Sequence, residues 1–186
     1  MLCAEGSPVI EEVFTKPVLI FGCGNVLFGD DGFGPEVIEH LHRHHRLPAF
    51  VGAFDVGTSI SDLLFDLLLS PRRPSHIIIV DAVSDPTRSP GELFEMDIEE
   101  LPAAKSVDFS LHQFPSVNML QELRDSAGIQ VRILAVQAGR IPEAVQPGLT
   151  PEVQAAVSGA CRWLLDRVAA AELIGPGEHE AGAAAG

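Results

Sequence analysis

The sequence predicts an α/β domain, a three-layer αβα sandwich around a mostly parallel, twisted sheet of about five strands. Two observations carry that expectation. Short apolar runs alternate along the chain with amphipathic segments of helical period, the pattern of βα units. In addition, 186 residues with 46% hydrophobic and 20% charged content suffice for one fully cored domain and are far from a disordered composition. Residues 17–174 are expected to form that single domain, 1–16 an N-terminal extension and 175–186 a disordered tail.

The elements follow in order. "VLIFGC" (18–23) reads as a buried strand. "PEVIEHLHRHHRL" (35–47) reads as a helix with Pro35 in its first turn. "AFVGAFDV" (49–56) is a second strand. "SISDLLFDLLLS" (59–70) is a helix, with Thr58 or Ser59 placed to cap it. "HIIIVDAV" (76–83) is β-branched and short, the clearest strand of the chain. "GELFEMDI" (91–98) alternates polar residues, as an edge strand does. Residues 99–115 read as irregular. "SVNMLQELRDSAG" (116–128) is a helix ending at Gly128, and "QVRILAVQAG" (130–139) a strand. "TPEVQAAVSGACRWLLDRVAAAEL" (150–173) opens with a Thr cap and a Pro at the first helical position, and is the longest helix.

Composition excludes several functions. A net charge of −14 disfavours nucleic acid and anionic membranes as partners. No apolar run reaches membrane-spanning length, and the N-terminus lacks the pattern of a signal peptide. Three cysteines, Cys3, Cys23 and Cys161, form no CxxC pair, which fits a reducing cytoplasm. Cys23 ends a buried strand and Cys161 lies in the last helix, positions of core packing rather than of nucleophiles.

In α/β sheets, ligands collect beyond the carboxyl ends of the strands. Three polar groups stand there: Asp31 after the first strand, Asp81 at the end of "IIIVD", and His112 in "FSLHQFPS". Two carboxylates and an imidazole can bind a borderline divalent ion and leave positions open for substrate. Each also has a plainer reading. Asp31 would favour a helix N-terminus by its charge, Asp81 would accept loop amides, and His112 would be an ordinary loop histidine. "HLHRHH" (40–45) resembles a metal cluster but lies on a polar helix face and end, where histidine complements the helix dipole. "GCGN…GDDGFG" fits neither G-x-G-x-x-G nor a P-loop, so Asp55 as a ribose-binding acid of a nucleotide enzyme is a poor alternative. No G-x-S-x-G elbow is present.

The chain resembles the nickel–iron hydrogenase maturation endopeptidases over about residues 17 to 165. "GCGNVLFGDDGFGPEVIEHL" is similar to their N-terminal signature, "DVGTSISDLL" to their D-x-G-T segment, "IIIVDAV" to their central-strand aspartate, "SLHQF" to their histidine segment and "GLTPEV" to the opening of their last helix. The resemblance implies that Asp31, Asp81 and His112 form the metal-contacting, catalytic site. Many members carry glutamate in place of Asp31. "GDDGFG" and "HQFPSVN" suit the branch serving deazaflavin- or other cofactor-reducing hydrogenases.

The resemblance further implies the reaction. The substrate is the nickel-loaded precursor of the hydrogenase large subunit, and a C-terminal extension is removed just after the basic residue of its cysteine motif. Nickel would come with the precursor, and a cytoplasmic monomer is expected. Two mechanisms stay open. The three residues contact that nickel while it polarises the scissile carbonyl or activates water, or they only recognise it while Asp30 or Asp81 serves as general base. A metal-sensing chaperone that docks the precursor without cutting it would use the same residues.

Overall fold

The computed structural model describes residues 15–96, 98 and 117–174. Their strands are β1 Val18–Cys23, β2 Val51–Gly57, β3 His76–Val83, β4 Leu93–Met96 and β5 Gln130–Gln137. Their helices are α1 Phe33–His44, α2 Ile60–Leu69, α3 Val117–Asp125 and α4 Pro151–Ile174, and a 3-10 turn at Gly29–Gly32 precedes α1. The strands form one sheet in the order β2-β1-β3-β5-β4. The first four lie parallel, and β4 runs antiparallel along β5. This is the expected three-layer architecture.

Strand burial explains the runs of the sequence. Every residue of β1 is buried, and so is all of β3 after His76, because helices cover both sheet faces. Val18, Ile20, Ile78 and Val80 pack with Val37, Ile38 and Leu41 of α1 and with Val153, Val157 and Leu164 of α4. The alternate residues Leu19, Phe21, Ile77 and Ile79 pack with Ile60, Leu64 and Leu67 of α2 and Leu120 and Leu123 of α3. The period-2 alternation of a strand sends successive side chains to the two cores.

The helix starts show where their flanking side chains are engaged. Ser59 holds the cap position of α2 but makes no side-chain capping bond. At α4, the Thr150 hydroxyl donates to Asp30 Oδ2 at 3.0 Å, reaching across to another loop. Meanwhile α1 begins at Phe33, ahead of Pro35, and brings Gly34 onto the sheet. A Cβ there would lie 2.2 Å from the Cys23 carbonyl oxygen and 2.6 Å from that of Val80. Only glycine permits so close an approach.

The topology prepares a site. The chain passes from β1 to β2 on one side and then from β2 back across β1 to β3 on the other, so the crevice at the carboxyl ends of β1 and β3 is the switch point where α/β sheets bind ligands.

Candidate functional site

Asp31 lies in the 3-10 turn just beyond β1 and is 1% exposed. The Asn25 main-chain N–H donates to its Oδ2 at 2.8 Å and to its carbonyl at 3.1 Å. Gly24 makes this fold-back possible. Its φ is +120°, and a Cβ on it would sit 1.8 Å from the Asp31 carbonyl oxygen. The glycine-rich loop thus wraps around a carboxylate.

Asp81 stands on β3 one residue past the last β1–β3 pair, Gly22 with Val80. It is 4% exposed, and its Oδ1 accepts the Ala82 N–H at 2.8 Å. Burial pushes its carboxyl from the ordinary 3.8 up to about 8; the Ala82 bond opposes the shift, and the charge of Asp31 adds to it. The same neighbours act on Cys23, whose thiol is raised well above its ordinary range by burial and then by Asp81, Asp55 and Asp31. That thiol stays protonated, in agreement with its expected packing role. It also feels the charge of three carboxylates near the ends of β1, β2 and β3.

Asp55, weighed in the sequence only as a nucleotide-binding acid, is the third of these. It pairs with Gly22 across β1 and β2, and its Oδ1 accepts the Gly57 N–H at 3.0 Å. Gly57 in turn accepts the Gly24 N–H at 3.0 Å, which ties the D-x-G-T segment to the first loop. His112 lies outside the described residues. Among the described residues, no group of three or more His, Cys, Asp or Glu side chains is arranged to hold a metal ion.

Asp30 has a separate task. Its Oδ2 accepts the N–H groups of Gly139 at 2.8 Å and Arg140 at 2.7 Å and the Thr150 hydroxyl, and its Oδ1 accepts the Thr150 N–H at 2.6 Å. Four donors from the β5–α4 connection therefore occupy this fully buried carboxylate. A parallel bridge between Phe28 and Gln146 continues the junction. Beside that bridge Val26 and Leu27 of the loop that carries Asp31, and Val145 of the β5–α4 connection, turn to solvent at 52%, 44% and 64% exposure, an apolar rim.

Comparison with known proteins decides the family. The hydrogenase maturation protease (HycI) family matches residues 35–167. The chain belongs to the hydrogenase maturation protease family. A Methanocaldococcus jannaschii relative, provisionally assigned as a hydrogenase maturation protease, is 37% identical over 155 residues, 82% of this chain and 97% of its own. The delta subunit of coenzyme F420 hydrogenase from Methanothermobacter thermautotrophicus is 33% identical over 159 residues, 83% and 96% of the two chains. The solved structure of the hydrogenase maturating endopeptidase HybD from Escherichia coli superimposes with a TM-score of 0.64 at 31% identity, covering 83% of this chain and 93% of that one.

Hydrogenase maturation proteases remove the C-terminal extension of the large subunit of nickel–iron hydrogenase, acting on nickel-loaded precursors, and that cleavage is the activity of this chain. The protease's histidine-rich segment is at the carboxyl end of α1, whereas Asp31 lies in the turn before its first residue. His42, His44 and His45 are exposed there. Among the described residues, no helix is long and apolar enough to cross a membrane.

Proposed function

We propose that Asp31, Asp81 and His112 contact the nickel carried by the large-subunit precursor and so couple cleavage to completed metal loading. The observation that carries this reading is the Asp81 carboxyl, buried at the switch point and pushed up to about 8 beside Asp31. Near neutral pH a precursor without metal meets a largely protonated Asp81. A divalent cation entering with the precursor favours the carboxylate and turns the same group into a ligand. Oxygen and imidazole donors suit nickel, and three of them leave positions for the precursor's own thiolates.

Hydrolysis also needs a base to take a proton from water. Of the two acids considered, Asp30 is engaged by four donors as the clamp of the β5–α4 connection. Asp81 is therefore the better candidate, able to act as a base only once the arriving cation has displaced its own proton. The apolar rim of Val26, Leu27 and Val145 offers the precursor chain a landing place beside Asp31.

The finer assignment is to the branch serving cofactor-reducing hydrogenases. The "GDDGFG" loop and the likeness to a coenzyme F420 hydrogenase subunit support it. We place the enzyme in the cytoplasm as a monomer; the free, buried thiols of Cys23 and Cys161 support the compartment. The test is incubation of the purified protease with metal-free and nickel-loaded precursor, followed by release of the extension. Cleavage of the loaded form alone supports nickel sensing, and equal cleavage of both rejects it.

A further inference from the structure

The carboxyl-terminal end of α1 carries a pair of neighbouring histidines. His40 and His44 are one turn apart, and their ring centroids lie 4.4 Å apart at an interplanar angle of 45°. We propose that His40 and His44 form a second, peripheral site for a borderline divalent cation of the nickel, copper or zinc class. The pair makes a two-imidazole chelate whose remaining positions are filled by water.

Four observations bear on this site. Histidines at i and i+4 stand on one helix face, the spacing that lets two imidazoles share an ion. Rings bound at roughly 2.0–2.1 Å from adjacent positions around one ion bring their centres to about 4–5 Å, and the observed separation falls in that range. The pair also spans the end of α1, with His44 in its last turn, where the negative end of the helix dipole favours a cation. Finally, the protein's net charge of −14 draws cations toward its surface.

The surroundings leave the chelate accessible. His44 is exposed and His40 partly so, on a face that borders the buried Val37, Ile38 and Leu41. Glu36 lies one further turn back along that face, and its charge acts on His40. Arg43 is held by an ion pair with Glu39. His45, with its ring centroid 6.2 Å from that of His40, follows the helix in extended backbone and stands outside the pair. Imidazole donors select nickel, copper or zinc over magnesium and calcium, which prefer oxygen. His42, two residues from both, cannot face them on a helix.

The experiment is an NMR titration of the full chain with NiCl2, with His40→Gln, His44→Gln and His42→Gln alongside. The ring signals of His40 and His44 should broaden together at low nickel, and MgCl2 in excess should not reverse it. Losing one of two chelating groups should weaken binding there by more than about ten-fold in His40→Gln and in His44→Gln, while His42→Gln titrates as the wild type. Titrations unchanged by His40→Gln, or weakened as much by His42→Gln, would overturn the proposal.

Discussion

Asp30 and Thr150, 120 residues apart, are joined by two hydrogen bonds, from the threonine N–H to Oδ1 at 2.6 Å and from its hydroxyl to Oδ2 at 3.0 Å. The pair fastens the loop bearing Asp31 to the start of α4. Because the carboxylate is fully buried, an amide in its place turns an NH2 group toward N–H donors. Asp30→Asn should therefore cost about 2–4 kcal/mol of stability. Thr150→Val, which removes one donor, should cost less. Urea unfolding of the two variants checks the order, and a smaller loss in Asp30→Asn than in Thr150→Val would show that the clamp is misassigned.

Asp81 predicts a pH dependence of folding. Its carboxyl titrates near 3.8 when unfolded and at about 8 in the fold. Between these values the folded chain holds a proton that the unfolded chain has released. Its contribution to stability is thus complete below pH 4, declines as pH rises and is gone above about pH 8. Asp81→Asn has no such proton to lose. It should match the wild type near pH 4 and exceed it at pH 8 by an amount on the order of a few kcal/mol. Melting curves at the two pH values decide, and a variant less stable than wild type at pH 8 would contradict the burial argument.

Gly24→Ala should damage the site directly. Its φ of +120° disfavours any side chain, and the new Cβ would collide with the Asp31 carbonyl. Processing should fall by more than ten-fold, or about 1.4 kcal/mol in barrier, on an otherwise folded sheet. Near-normal processing would mean that the loop tolerates a displaced Asp31.

The apolar rim yields a kinetic split. Leu27→Asp and Val145→Asp alter exposed side chains, so stability should move by no more than about 0.5 kcal/mol. If the rim receives the precursor, KM rises while kcat holds. An unchanged KM for both variants would remove the rim from the docking surface.

Much of the fold was legible in the chain. β1 and β3 coincide with "VLIFGC" and "HIIIVDAV" because strands buried on both faces leave continuous apolar runs. The edge strand "GELFEMDI" shortened to Leu93–Met96, where pairing with β5 ends. Asp81 could be singled out because an acid at the end of such a run is conspicuous. Asp31 and Asp30 could not be told apart by position. Their division of labour depends on main-chain donors at Gly139, Arg140 and Thr150, and a backbone N–H leaves no mark in a sequence. The Thr150 hydroxyl is likewise turned to Asp30, a partner 120 residues away that its position before a helix does not reveal.

The central claim is that Asp31 and Asp81 act on the precursor's nickel rather than hold the fold. The most direct measurement is the yield of mature large subunit from nickel-loaded precursor with Asp31→Asn and with Asp81→Asn, each beside its melting curve. Both amides keep the shape of the carboxylate and remove its charge. The account predicts folded proteins with processing lost in each. Normal processing by Asp31→Asn, together with an Asp81→Asn protein that melts far below the wild type, would contradict it and make Asp81 a structural aspartate.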